Sequence, residues 1–175
     1  KCSDWKKPIY ISTTYMNGES VEKVWDLDDK DIDKWFAILT SCSAPTYFDV
    51  IVKDGKSYCD GGLWGNCPAD LVMAGQINQG NKNIKIMNFN TGMNTPNTDS
   101  GNKSLIGWAE YIIGDWTARA SKSPIYECKA ILGEDAVFNV SPNTSKKFKM
   151  DDVSDETIQK VIDIWQEYYE EVGKE

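Results

Sequence analysis

Residues 58–69 read YCDGGLWGNCPA. One acid, Asp60, stands directly before two glycines, at the end of a stretch that follows the turn signal Asp54-Gly55. Gly61 and Gly62 carry no Cβ, so the backbone can turn sharply after Asp60 and a second group can approach its carboxylate closely. Asp-Gly by itself is only a turn signal, as at Asp54-Gly55. The neighbouring segments decide which reading holds here.

Val50 to Val52 reads as a short strand and a second strand ends at Cys59, which puts Asp60 at a strand terminus. Downstream, Pro68 suits the first turn of a helix that Asp70 to Ile77 continues. NIKIMNF (83–89) reads as a buried strand, and the run from Asn88 to Lys103, rich in Asn, Thr, Gly and Ser, as an exposed or functional loop. Toward the N-terminus, Ile9 to Met16 and SVEKVW (20–25) form a hairpin about the turn dipeptide Asn17-Gly18. Asp31 to Leu39 changes to a helical period, which predicts Ile32, Trp35, Phe36 and Leu39 on one core-facing side.

Farther on, Ile106 to Ala120 reads as a helix, and IYECKAIL (125–132) and AVFNV (136–140) as two strands around Gly133-Glu134-Asp135. Val153 to Val172 places Ile158, Val161, Ile162, Trp165, Tyr168, Tyr169 and Val172 at helical spacing with acids opposite, predicting a helix that closes the fold. Strands and helices alternate without an internal repeat, so the class is α/β and residues 1–175 form one unit.

The formal net charge of −8 argues against nucleic acid as a partner, since phosphate binding needs clustered Lys and Arg, and it opposes adhesion to anionic membranes. No apolar run approaches the roughly 18 residues of a membrane span. Five cysteines, at 2, 42, 59, 67 and 128, are an odd number with no C-x-x-C pair. They read as buried free thiols in a reducing, cytoplasmic compartment, with a Cys59–Cys67 bridge as the alternative. The chain opens at Lys1 without a methionine and enters a strand within a few residues, which reads as the middle of a longer protein.

The chain contains no histidine, so neither a Ser-His-Asp triad nor a Cys-His dyad can be assembled from it. No G-x-S-x-G elbow and no phosphate-binding loop is present; GESVE and GNKSLIG lack the spacing. Any hydrolytic chemistry needs a carboxylate or a lysine as base.

TSCSAPTYF (Thr40 to Phe48) resembles the A-T-S-A-A-P-T-Y-F segment of the patatin-like phospholipases, and Tyr58 to Ala69 resembles their D-G-G-L-x-x-N-N-P-A segment. Order and spacing also match. PIYISTTYMNG before them and NIKIMNFNTG after them stand where that family has a strand-turn unit and a strand ending in S-L-G-T-G. The resemblance is specific from about Pro8 to Gly92. It implies a three-layer α/β/α hydrolase fold, present here as its C-terminal part, whose serine elbow and oxyanion loop lie upstream of Lys1.

By the same resemblance Asp60 is the base of a Ser-Asp dyad that needs no histidine, metal or cofactor. The implied activity is phospholipase A-type hydrolysis of phospholipid or glycerolipid esters, with transient contact to a membrane surface. The upstream half of the same protein is the implied partner, and this chain alone is expected to be inactive. Thr46, Tyr47 and Trp64 are expected to line the pocket of Asp60. Two positions depart from the family pattern: Cys67 replaces the second asparagine of N-N-P, and Asn88-Phe89-Asn90-Thr91-Gly92 replaces S-L-G-T-G. They support the alternative of a non-catalytic lipid-binding or effector module.

Overall fold

The computed structural model describes residues 1–17, 20–91, 93–94, 104–112, 120–144 and 152–172. Gly18 of the first turn, most of the 88–103 loop and 113–119 of the expected 106–120 helix lie outside the described residues.

Strands β1 (Ile11–Met16) and β2 (Ser20–Trp25) form the expected antiparallel hairpin. β3 (Ile51–Lys53) and β4 (Lys56–Asp60) form a second. The two join through β1 and β4, which run antiparallel with Thr13 opposite Asp60, giving one sheet in the order β2-β1-β4-β3. Helix α1 (Lys34–Ser41) packs on this sheet. Trp25, Phe36 and Tyr58 are buried together with Cys2 and Ala37. The Trp25 indole N–H donates to Thr40 Oγ1 at 3.0 Å inside this cluster.

The inward face of α1 differs from the expected one. Phe36, Ala37 and Thr40 are buried, whereas Trp35 is 62% exposed and Leu39 is also exposed. The helix begins only at Lys34, so Ile32 packs from the preceding turn, and the polar Thr40 joins the core because it accepts from Trp25.

After Asp60 the chain forms a single helical turn, α2 (Gly62–Gly65), and then α3 (Ala69–Asn78), with Pro68 at its N-terminal boundary. Strand β5 (Ile86–Phe89) follows, and β6 (Met93–Asn94) after it. Helix α4 spans Leu105–Tyr111, capped by Ser104, whose Oγ accepts the Gly107 N–H.

IYECKAIL is not a strand. It lies in helix α5 (Ser123–Leu132), and the correction follows from its period. Ile125, Cys128 and Leu132 pack into the second core at helical spacing, beside Cys67, Ala69, Met73 and Val137. Pro124 in the first turn and Gly133, at φ 96°, mark the two ends.

β7 (Val137–Val140) pairs parallel to β5, and β8 (Asn143–Thr144) parallel to β6. A parallel pair between helices makes the fold mixed α/β. β5 is not buried on both sides: Met87 and Phe89 are exposed, while Ile86 packs on the core. The last helix, α6 (Asp155–Val172), forms as expected, but none of its residues is buried. Its Tyr168 hydroxyl accepts the Ser141 N–H at 3.4 Å.

Candidate functional site

Asp60 is the last residue of β4, held there by its neighbours across the sheet. Thr13 Oγ1 donates to the Cys59 carbonyl at 2.8 Å, and Thr14 Oγ1 donates to the Asp60 carbonyl at 2.9 Å. These bonds fix the strand end from the side of β1. From the other side, the Asp60 N–H donates to the Ser43 carbonyl at 3.0 Å. Ser43 belongs to TSCSAPTYF, so a main-chain bond joins the two motifs quoted from the sequence.

The glycines after Asp60 serve distinct steric needs. A Cβ on Gly61 would lie 2.3 Å from the Ser12 carbonyl carbon, so no side chain fits between β1 and the turn. A Cβ on Gly62 would lie 2.9 Å from Asp60 Oδ1 and 3.1 Å from Asn66 Oδ1. With none there, the Gly62 N–H reaches Asp60 Oδ1 at 2.6 Å and sets the carboxylate's direction. A charge-assisted bond of this kind is stronger than a neutral one.

Asp60 opens onto a groove of about 610 Å³. Ala44, Tyr47, Phe48 and Pro68 supply its apolar walls, and Ser12, Ser41 and Asn66 add polar lining. Phe48 is 65% exposed, so it stands at the mouth. An apolar trough with a few convergent polar groups is the usual form of a small-molecule site.

The expected neighbours divide. Tyr47 lines the groove with Asp60. Trp64 instead lines the adjacent groove, and its indole N–H donates to the Thr13 carbonyl at 3.1 Å. Thr46 lines neither groove; it takes φ 76°, a left-handed conformation that is costly for a β-branched residue. That bend, with the Tyr47 and Phe48 N–H groups both donating to the Ala44 carbonyl, delivers the two aromatics to the groove.

Sequence reasoning did not single out Ser12, Ser43 and Asn66. Ser12 Oγ donates to the Gly65 carbonyl at 3.2 Å and Ser43 Oγ to the Leu39 carbonyl at 2.7 Å, side-chain to main-chain bonds whose carbonyl partners leave no residue-type signal. The consecutive hydroxyls Thr13-Thr14 in β1 were the one available clue to a side-chain clamp.

Cys67 and Asn88, both departures from the resembled pattern, touch each other. The Cys67 thiol lies 3.7 Å from Asn88 Oδ1, to which it donates, and Asn88 Nδ2 donates to Asn139 Oδ1 at 2.6 Å. The two changes thus form one polar chain from the end of the Asp60 segment to β7. Burial pushes the Cys67 thiol up from its ordinary pKa, which keeps it protonated as the donor. All five cysteines are free thiols.

Among the described residues, no group of three or more histidines, cysteines or acids is placed to hold a metal ion. No described helix is long and apolar enough to cross a membrane. No family model matches the chain, and no curated protein matches it.

Proposed function

We propose that this chain carries the general base of a lipid acyl hydrolase: Asp60, acting on a serine supplied by an upstream part of the same patatin-like domain. The observation that carries the reading is the 3.0 Å bond from the Asp60 N–H to the Ser43 carbonyl, which brings both resembled motifs to one apolar groove. In the proposed reaction the Asp60 carboxylate takes the serine hydroxyl proton as the oxygen attacks the ester carbonyl carbon. The proton then passes to the departing alcohol. Water repeats the sequence on the acyl-serine, and the fatty acid leaves.

Oδ1 of Asp60 is engaged by the Gly62 N–H, so Oδ2 is the atom assigned to receive the proton. A plain aspartate is a weak base for this task, since its ordinary pKa of about 3.9 lies far below that of a hydroxyl. The larger contribution is therefore assigned to donors for the oxyanion, which the upstream part would provide. The expected substrates are phospholipid or glycerolipid esters met at a membrane surface, and the fold assigned to the complete domain is the three-layer α/β/α hydrolase.

A second reading, a lipid-binding or effector module without turnover, is favoured by the linked Cys67–Asn88–Asn139 chain, in which two departures from the resembled pattern bond to each other. Hydrolysis of p-nitrophenyl acyl esters by the complete protein separates the two. Turnover that disappears in Asp60→Asn supports the hydrolase; lipid association with no ester cleavage supports the module.

A further inference from the structure

The single turn α2 is a partition between two grooves. On one side is the 610 Å³ groove of Asp60, and on the other a second groove of about 350 Å³. The second is walled by Leu63, Trp64, Leu71, Ile112, Ala120 and Pro124, with Asn66, Asp70 and Ser121 as polar lining and the Asn66 amide donating to Ser121 Oγ at 2.9 Å. Gly62, Gly65 and Asn66 line both grooves, so the partition is one helical turn thick and lacks a side chain at two of its positions. The carboxylate is tied to the head of this partition by the bond from the Gly62 N–H to Asp60 Oδ1.

A ligand with its polar end at Asp60 and a single alkyl chain fills the first groove and leaves the apolar wall of the second against water. A ligand with two chains branching near the polar end covers both. We propose that the second groove is a further alkyl-chain subsite, so that the molecule accommodated here is a two-chain ester straddling α2 with one chain on each side. The proposal rests on the lipid-ester reading of Asp60. The carboxylates of Asp60 and Asp70, in a chain of net charge −8, select an uncharged or zwitterionic head over an anionic one.

The test uses the complete protein and two separate readouts. In the first, kcat/KM is compared for diacyl and monoacyl phosphatidylcholine, with p-nitrophenyl butyrate as a short reference ester. Ala120 is exposed, so Ala120→Trp can fill the second groove without disturbing the core; Leu71→Glu is the companion variant that makes the wall polar. Both should lower the diacyl-to-monoacyl ratio at least tenfold, the loss of about two buried methylenes at roughly fourfold each, with butyrate hydrolysis within about twofold of wild type.

In the second readout, chain-brominated diacyl phosphatidylcholine and a brominated fatty alcohol are added to Asp60→Asn protein, where turnover does not intrude. The tryptophan quenching that vanishes in Asp60→Asn/Trp64→Phe reports the second groove. It should be strong with the two-chain probe and weak with the alcohol. Failure of wild type to cleave butyrate overturns the hydrolase reading, and the quenching then decides the subsite alone. An unchanged diacyl-to-monoacyl ratio, no Trp64 quenching, or equal quenching by the single-chain probe overturns the proposal.

Discussion

Asp60 and Ser43 meet through the backbone: the Asp60 N–H donates to the Ser43 carbonyl at 3.0 Å, at the point where β4 leaves the sheet. Sixteen residues of intervening chain, including the β3–β4 hairpin, fold back to make that bond. Neither side chain takes part in that bond, but the buried Ser43 Oγ donates to the Leu39 carbonyl at 2.7 Å and ties the segment to α1, so the strand end depends both on Ser43 and on the turn that follows Asp60.

Gly61→Ala tests that turn. Its methyl would lie 2.3 Å from the Ser12 carbonyl carbon and 2.4 Å from the Ser12 carbonyl oxygen, main-chain atoms that cannot swing aside as a side-chain end can. The cost should reach about 2–4 kcal/mol, at or above the usual range for overpacking. Urea unfolding of the variant and parent measures it directly. A midpoint within error of the parent would mean that the β1–turn contact is looser than described.

Thr40→Val keeps the shape and removes the acceptor of the Trp25 indole N–H, in a cluster where Thr40 is wholly buried. An indole N–H stranded there should cost about 1–3 kcal/mol. Chemical denaturation of the valine variant checks the value. Undiminished stability would show that another acceptor replaces Thr40.

Burial raises the thiol pKa of Cys2, Cys59, Cys67 and Cys128, while Cys42 is exposed. A group whose pKa is higher folded than unfolded keeps its proton longer in the native state, so the unfolded state binds fewer protons as the medium becomes alkaline. Stability is therefore full below the unfolded thiol value of about 8.5 and falls as pH rises above it. Denaturation midpoints between pH 7 and 10 should decline, and a Cys-reactive dye should label Cys42 well before the other four. A flat pH profile together with uniform labelling would contradict the burial of these thiols.

Much of this arrangement is legible in the sequence where the signal is local. The β1–β2 and β3–β4 hairpins, the end of β4 at Asp60 and the helix after Pro68 all follow from turn residues and short periods. The errors also have physical causes. IYECKAIL is rich in the apolar residues of a strand, but Ile125, Cys128 and Leu132 keep a helical period, and Pro124 and Gly133 marked its ends. On α1, Thr40 displaced Leu39 from the core because one hydrogen bond to Trp25 outweighs residue polarity.

The placement of β1 beside β4, with Thr13 opposite Asp60, is a long-range pairing that no local pattern encodes. At the site, Asp60 could be found because an acid before two glycines is conspicuous. Ser12 and Ser43 could not, because their hydroxyls bond to main-chain carbonyls, which carry no residue-type pattern.

The central claim is that Asp60 is a base and not merely a turn residue, and the most direct measurement is turnover of a p-nitrophenyl acyl ester by the complete protein carrying Asp60→Asn. The asparagine keeps an oxygen for the Gly62 N–H, so the turn should persist while the proton acceptor is lost. Asp54→Asn is the matched control: Asp54 sits at φ 52° in the β3–β4 turn, a left-handed conformation that asparagine adopts readily. Asp60→Asn should lower kcat by about 10²–10⁴-fold with lipid association little changed, and Asp54→Asn should leave kcat near wild type. Equal losses in the two variants, or wild-type turnover in Asp60→Asn, would contradict the account.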